Sequence, residues 1–405
     1  MAELLRRAGH TPCVSGADVV IINTCAVTAE SVRKSRQAVR RAIKDAPDAV
    51  IAVCGCAAQA DAKEMARLGV SLVGGSGDRA AFIEKLCVLY ENRPAAPVLA
   101  EGDPRQRRTF ELLPAKAAEG RTRALLKVED GCQNYCAYCI IPYAHGPVRS
   151  LPAALAAEQA RALASEGFGE IVLTGIELAS WGSDLPGKPG LGELICTTAN
   201  AVPDLRIRLG SLEPRVITPD FIEKVSSLPN LAPHFHLSLQ SGCAATLARM
   251  KRRYSPERFY ESVELLRGAF PGRGLTADLI CGFPGETDGD AEETLRFLRR
   301  CAFTDMHIFP FSPRPGTPAA SMDGQLTNAV KKARCDAAAS VAAEMKAAFL
   351  DSLTGTVQDV IFESGGVGHT GSYCVVSVSE ARAGCRCPVL ITGNDGEMLF
   401  GQMMI

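Results

Sequence analysis

Three cysteines in the stretch EDGCQNYCAYC, Cys132, Cys136 and Cys139, are separated by three residues and then by two. Thiolates at this spacing can hold three irons of a cubane iron–sulfur cluster and leave the fourth iron open. An open metal position is the mark of a catalytic rather than a structural site. Zinc is the alternative. It would want a fourth ligand, and His145 stands six residues beyond Cys139. Unliganded thiols packed as small core groups are the remaining reading.

One further cysteine sits at the end of an apolar run. Cys25 closes the run VVIINT, and Thr28 and Glu30 just beyond it read as a helix start. On position alone, core packing explains Cys25 as well as function does.

The surrounding elements must position these thiols. Residues 1–90 alternate apolar strands with helical stretches, the rhythm of an open α/β sheet. Residues 91–118 carry prolines and charges and read as a linker. Six strands follow at 123–128, 170–175, 205–210, 234–240, 275–281 and 303–309, with helices at 151–166, 191–200, 218–227, 256–269 and 288–301. Strict alternation implies parallel strands and right-handed crossovers. Six units are too few for a closed eight-stranded barrel, so an open (β/α)6 barrel is expected over 119–350, with its chemistry beyond the C-terminal strand ends. The three-cysteine loop follows the first of these strands. A helix over 326–350 leads to short β-runs from Gly355, which read as a small β-barrel over 351–405.

The chain has 405 residues, 47% hydrophobic and 22% charged, with a formal net charge of −1. It is not broadly basic, so nucleic-acid contact must use local patches. Its 16 cysteines are irregularly spaced, and no signal peptide opens the sequence, which favours a reducing, cytoplasmic setting. The longest apolar stretch, Ala49 to Ala58, is about half of what a membrane helix requires. Two basic clusters are candidates for phosphate contact. One is the helix 33–44, with six cations and an apolar stripe at Val32, Val39 and Ile43; the other is Arg249, Lys251, Arg252 and Arg253.

The Cys-x-x-x-Cys-x-x-Cys loop after a first barrel strand resembles the signature of radical S-adenosylmethionine (SAM) enzymes. The stretches IINTCAVTAESVRKSRQAVRR, CGCAAQ, CAYCIIPYAHGPVRS, IVLTGIEL, GSLEP, HFHLSLQSG, DLICGFPGET and FPFSPRPGTPAASM occur in that order. Together they resemble the methylthiotransferases over nearly the whole chain. Their wording is most similar to that of enzymes acting on N6-threonylcarbamoyladenosine in tRNA.

The resemblance implies an N-terminal methylthiotransferase domain, a radical-SAM partial barrel and a C-terminal TRAM module. It implies two 4Fe-4S clusters, one at Cys132, Cys136 and Cys139 that binds SAM, and an auxiliary one at Cys25 and Cys56. The family's third auxiliary ligand lies in a Gly-Cys-x-x-Asn motif that is absent here. By that comparison the chain looks N-terminally short by one strand and a loop, and Cys13 is a possible substitute. Tyr138 is implied beside the adenine of SAM, and Gly282, Gly285 and Glu286 beside its adenosyl group. Glu213 is implied as a SAM contact, with an acid at a helix start as the other reading. Ser238 and Gln240 should face the barrel mouth on alternate positions. Glu177 and His145 depart from the family's usual residues.

No acid or base side chain is expected to carry the chemistry. An aromatic C–H has no useful acidity, and a SAM-derived radical is the means the resemblance implies. The implied reaction is methylthiolation of C2 of N6-threonylcarbamoyladenosine at position 37 of tRNA, in the anticodon loop, with flavodoxin or ferredoxin as electron donor. The alternatives are isopentenyladenosine in tRNA, a ribosomal-protein aspartate, or a non-catalytic iron–sulfur RNA-binding protein. The C-terminal module has only Arg382 and Arg386 against six acids from Asp351 onward, a poor balance for an RNA binder.

Overall fold

The computed structural model describes residues 1–92, 96–100, 102–113 and 122–404. Parts of the expected linker (93–95, 101 and 114–118) and the start of the expected barrel (119–121) lie outside the described residues. The chain forms two compact units. One comprises Met1–Pro114, Gly131–Val148 and Ser312–Ser321; the other comprises Ala115–Asp130, Arg149–Phe311 and Met322–Ile405.

In the first unit, strands Val19–Thr24, Val50–Gly55, Leu72–Gly74 and Val98–Ala100 form a parallel sheet in chain order. Strand Val50–Gly55 is buried along its whole length because both of its faces are covered. Ile51 and Val53 pack with Val39 of helix Ala29–Asp45. Val50, Ala52 and Cys54 pack with Phe82, Ile83 and Leu86 of helix Arg79–Glu91. Alternate side chains therefore serve opposite faces. Helix Ala29–Asp45 starts where the sequence indicates, with Thr28 capping the Ser31 amide. Its Val32, Val39 and Ile43 stripe faces the core. Two further stretches belong to this unit through long-range bonds. The Ser76 hydroxyl donates to Ala144 O, the Ala29 amide donates to Ser312 Oγ at 3.1 Å, and the Ala319 amide joins the two stretches by donating to Ala137 O at 2.8 Å.

In the second unit, two three-stranded parallel sheets follow chain order: Arg123–Lys127, Glu170–Thr174 and Arg206–Leu209, then His234–Gln240, Gly274–Cys281 and Asp305–Pro310. Isolated parallel bridges, Ile207 to Leu231 and Leu212 to Leu237, join them into an open six-stranded barrel. Ile171, Leu173, Ile207, Leu209, Leu237 and Ala277 are buried. The alternate positions Leu125, Val172, Arg208, His236, Thr276 and His307 line a cavity of about 650 Å³.

Helix Asn328–Leu353 leads to a closed five-stranded barrel. Its strand Arg386–Asn394 pairs with both Val357–Ser364 and Leu399–Met403. Arg206 and Arg208, buried on the third strand of the open barrel, share Glu170 and donate to carbonyls of the small barrel.

Candidate active site

The three-cysteine loop is shaped by backbone that only glycine fits. Gly131 has φ +93°, and a Cβ there would lie 2.0 Å from Pro147 O. Gly146 closes the following helix, Ile141–His145, at φ +79°; a Cβ there would lie 1.9 Å from Pro104 O. Between these pins the Cys139 amide donates to Cys136 O at 3.0 Å, and the Asn134 amide approaches the Cys132 sulfur at 3.5 Å. Cys132 and Cys136 are buried, and Cys139 and Tyr138 half-buried. Among the described residues, no three His, Cys, Asp or Glu side chains already converge as a metal-holding group.

His145, the fourth ligand a zinc site would want, directs its Nε2 to the Cys56 sulfur at 3.0 Å. Three thiols on one loop suit a cluster with an open iron.

Cys25 and Cys56 follow directly from Thr24 and Gly55, which are register partners on adjacent strands. Gly55, at φ +95°, packs so tightly that a Cβ would lie 2.4 Å from Thr24 O. The Thr24 hydroxyl ties the two strand ends, donating to Cys54 O at 2.6 Å and accepting from the Ala58 amide at 3.0 Å. Cys56 begins helix Cys56–Ala60, which packs on helix Ile141–His145. Cys25 is exposed, its amide bonded to Ser35 Oγ. Cys13 is exposed on the stretch before strand Val19–Thr24. Cys54 lies on the other face of its strand, and burial pushes its thiol up to about 11. All sixteen cysteines are thiols rather than disulfides.

In the second unit, three acids follow the first three barrel strands, and only Glu213 was singled out from the sequence as a SAM contact. Glu213 is buried and held by Arg215 (Nε to Oε2, 2.8 Å) and Arg252 (3.5 Å). It does not cap the short helix after it. Glu177 is held up to about 7, first by burial and then by the charge of Glu213. Glu129 is fully buried; its Oε2 accepts from the Glu177 amide at 2.7 Å, while its Oε1 has no hydrogen-bond partner. Burial pushes its carboxyl up to about 8. Near neutrality Glu129 is therefore a protonated acid with a donor to offer. Position after a strand was the signal that could have found it.

Gly282 and Gly285 both have positive φ, +75° and +74°, in the turn after the fifth strand. The Glu286 carboxylate accepts from the Gly282 and Phe283 amides of that turn and pairs with Arg334 at 2.8 Å. Ser238 shares the alternation of His234 and His236, but the register shifts between Leu237 and Gln240, and Gln240 has φ +67°. The expected simple alternation thus breaks before Gln240, because a bulge re-aims it. The second basic cluster is largely engaged within the fold: Arg249 pairs with Asp290 at 2.8 Å, and Arg252 with Glu213 and Ser238 O. Contrary to the expectation of phosphate contact, those two guanidinium groups are taken up by acids of the fold. Cations of helix Ala29–Asp45, among them Lys34, Arg40 and Arg41, are exposed.

Comparison with known proteins decides the family. Residues 126–298 match the Radical SAM superfamily, and residues 1–74 match the uncharacterized protein family UPF0004. The threonylcarbamoyladenosine tRNA methylthiotransferase MtaB of Bacillus subtilis (strain 168) is 37% identical over 387 residues, which cover 92% of this chain and 85% of that protein. The chain belongs to the radical-SAM tRNA methylthiotransferases. The Thermotoga maritima enzyme of the same name is 34% identical, covering 90% of this chain and 82% of its own. A tRNA-2-methylthio-N(6)-dimethylallyladenosine synthase of Cereibacter sphaeroides is also 34% identical, covering 99% and 94%. Among solved structures, the radical SAM methyltransferase TsrM of Kitasatospora setae, with cobalamin and a 4Fe-4S cluster bound, aligns with a TM-score of 0.60. It is 17% identical and covers 78% of this chain and 68% of its own, a likeness of fold. A methylthiotransferase of this superfamily works on tRNA with a 4Fe-4S cluster and SAM. No helix among the described residues is long and apolar enough to cross a membrane.

Proposed function

We propose that this chain methylthiolates C2 of N6-threonylcarbamoyladenosine at position 37 of tRNA. On this reading Cys132, Cys136 and Cys139 hold the cluster that binds SAM, and Cys25 and Cys56 contribute to a second, auxiliary 4Fe-4S cluster. The cluster and SAM, when bound, supply a one-electron cleavage that yields a carbon radical able to take hydrogen from an unactivated C–H. The chain's residues place and shield that chemistry. Gly131 and Gly146 fix the loop, and Tyr138 lies on it, half-buried; the turn at Gly282 and Gly285, packed by Lys331 and Arg249 and held by Glu286, is placed beside the adenosyl group by the family resemblance alone. Glu213 holds two guanidinium groups, and protonated Glu129 offers a hydrogen-bond donor at a strand end. The electron comes from a flavodoxin or ferredoxin, in a reducing cytoplasm that keeps the thiols reduced.

The observation that carries the reading is the 3.0 Å approach of Cys56 to His145, on the helix that follows the three-cysteine loop. Methylthiolation needs a sulfur-bearing site beside a radical generator, and here both thiol sets belong to one compact unit. Relatives named for dimethylallyladenosine match almost as well, which favours isopentenyladenosine as the second reading. Anaerobic reconstitution with iron, sulfide, SAM and dithionite separates the two. Anticodon stem-loops bearing each base are offered in competition, and the products are resolved by mass spectrometry. The threonylcarbamoyl stem-loop is expected to gain the methylthio group; transfer to the isopentenyl stem-loop alone would overturn the assignment.

A further inference from the structure

Tyr135 lies between Cys132 and Cys136 with φ +48°, left-handed backbone that a bulky side chain rarely adopts. Such a conformation is strained and persists where the surroundings enforce it. Burial is not its reward, since Tyr135 remains 46% exposed. Tyr143, on helix Ile141–His145, is 44% exposed. The two rings meet edge to face, with centroids 5.6 Å apart at 77°. Cations lie on the neighbouring segment. Gly146 brings the helix end against the Pro104 carbonyl, so segment Pro104–Gln106 runs alongside. The Arg105 side chain is 77% exposed, pairs with Asp103 at 3.0 Å, and lies within electrostatic reach of Tyr135. Arg108 is exposed as well, its guanidinium bonded to the carbonyls of Arg105 and Arg107. Exposed aromatic faces flanked by arginine are the chemistry that recognises unpaired nucleotides, whose bases stack while their phosphates pair with cations.

We propose that Tyr135 and Tyr143, with Arg105 beside them, form a stacking platform for an unpaired tRNA-loop base that neighbours the base being modified. The inference rests on the tRNA reading above and adds to it the surface that grips the loop. It is tested with the full chain, reconstituted anaerobically, and a fluorescein-labelled anticodon stem-loop carrying N6-threonylcarbamoyladenosine, with Kd read by anisotropy and iron content measured for each variant. Tyr135→Leu and Tyr143→Leu are each expected to weaken binding about tenfold, and Tyr135→Phe, which keeps the ring, by no more than about twofold. Arg105→Ala is expected to lower the slope of log Kd against log salt by about one. The tyrosine variants should leave that slope unchanged. Should Tyr135→Leu lose iron, Tyr143→Leu and Tyr135→Phe carry the test. Wild-type binding with both tyrosine-to-leucine variants unchanged, or a Tyr135→Phe loss as large as that of leucine, overturns the platform alone. Failure of the wild-type chain to bind any anticodon stem-loop overturns the tRNA reading with it.

Discussion

The two thiol sets of the first unit are built in opposite ways. Cys132, Cys136 and Cys139 share one short loop, pinned at both ends by glycines against carbonyls and mostly buried. Cys25 and Cys56 are thirty-one residues apart, and what unites them is the register of two parallel strands. The first set is local and belongs to its sequence spacing. The second exists only once Thr24 and Gly55 are paired, and it leaves Cys25 exposed. The loop's ligand spacing is local even though Pro104 and Ala319 hold the loop, whereas the sheet-assembled pair depends on strand register itself.

Removing a thiol from each set probes that contrast most strongly. Cys136→Ala should take 5′-deoxyadenosine production from SAM to background and remove about four irons per chain. Cys56→Ala should abolish methylthio transfer yet leave SAM cleavage measurable, because the loop set is complete without it. Equal loss of SAM cleavage in both variants would show that the sets are not separable.

The backbone pins come next. Gly131→Ala and Gly55→Ala each force a Cβ onto a carbonyl oxygen at positive φ. Each should cost about 2–4 kcal/mol, read from denaturant midpoints of the iron-free chain. They should differ in metal content: Gly131→Ala should lose the irons that support SAM cleavage, whereas Gly55→Ala should retain them. A Gly131→Ala chain that loads and cleaves SAM normally would break the claim that the loop's geometry is set by its backbone.

The smallest expected effect comes from Glu129→Gln, which touches neither thiol set. Burial keeps the Glu129 carboxyl neutral up to about pH 8, against an ordinary value of 4.5. Between those values the native chain holds a proton that the unfolded chain has lost, so wild-type stability falls as pH rises through that window. Glutamine removes this dependence. The variant should match wild type at pH 4.5 and gain an advantage of about 1–3 kcal/mol by pH 9, seen as diverging Tm curves. Parallel curves would mean that the carboxyl is ionised in the fold.

Much of the barrel could be read from sequence because each strand carries its own period-two pattern and many helices announce their starts. Thr28, Thr218, Ser255 and Thr287 all cap helices, the last through a capping box with Asp290. The three-cysteine loop was legible for the same reason, since its ligand spacing is local. What escaped was non-local. The grouping of 131–148 and 312–321 with the N-terminal sheet depends on bonds such as Ser76 to Ala144 and Ala29 to Ser312. Arg249 and Arg252 looked available for phosphates because Asp290 and Glu213, which engage them, are about forty residues away. The bulge before Gln240 carries no glycine to betray it, and the neutrality of Glu129 follows from burial that only the folded barrel supplies.

The central claim, methylthiolation of threonylcarbamoyladenosine, is met most directly by nucleoside mass spectrometry of tRNA. The chain would be expressed in a host whose own 2-methylthio enzymes are deleted. Appearance of 2-methylthio-N6-threonylcarbamoyladenosine, lost again with Cys136→Ala, is the predicted result. Unmodified threonylcarbamoyladenosine alongside newly formed 2-methylthio-isopentenyladenosine would contradict it.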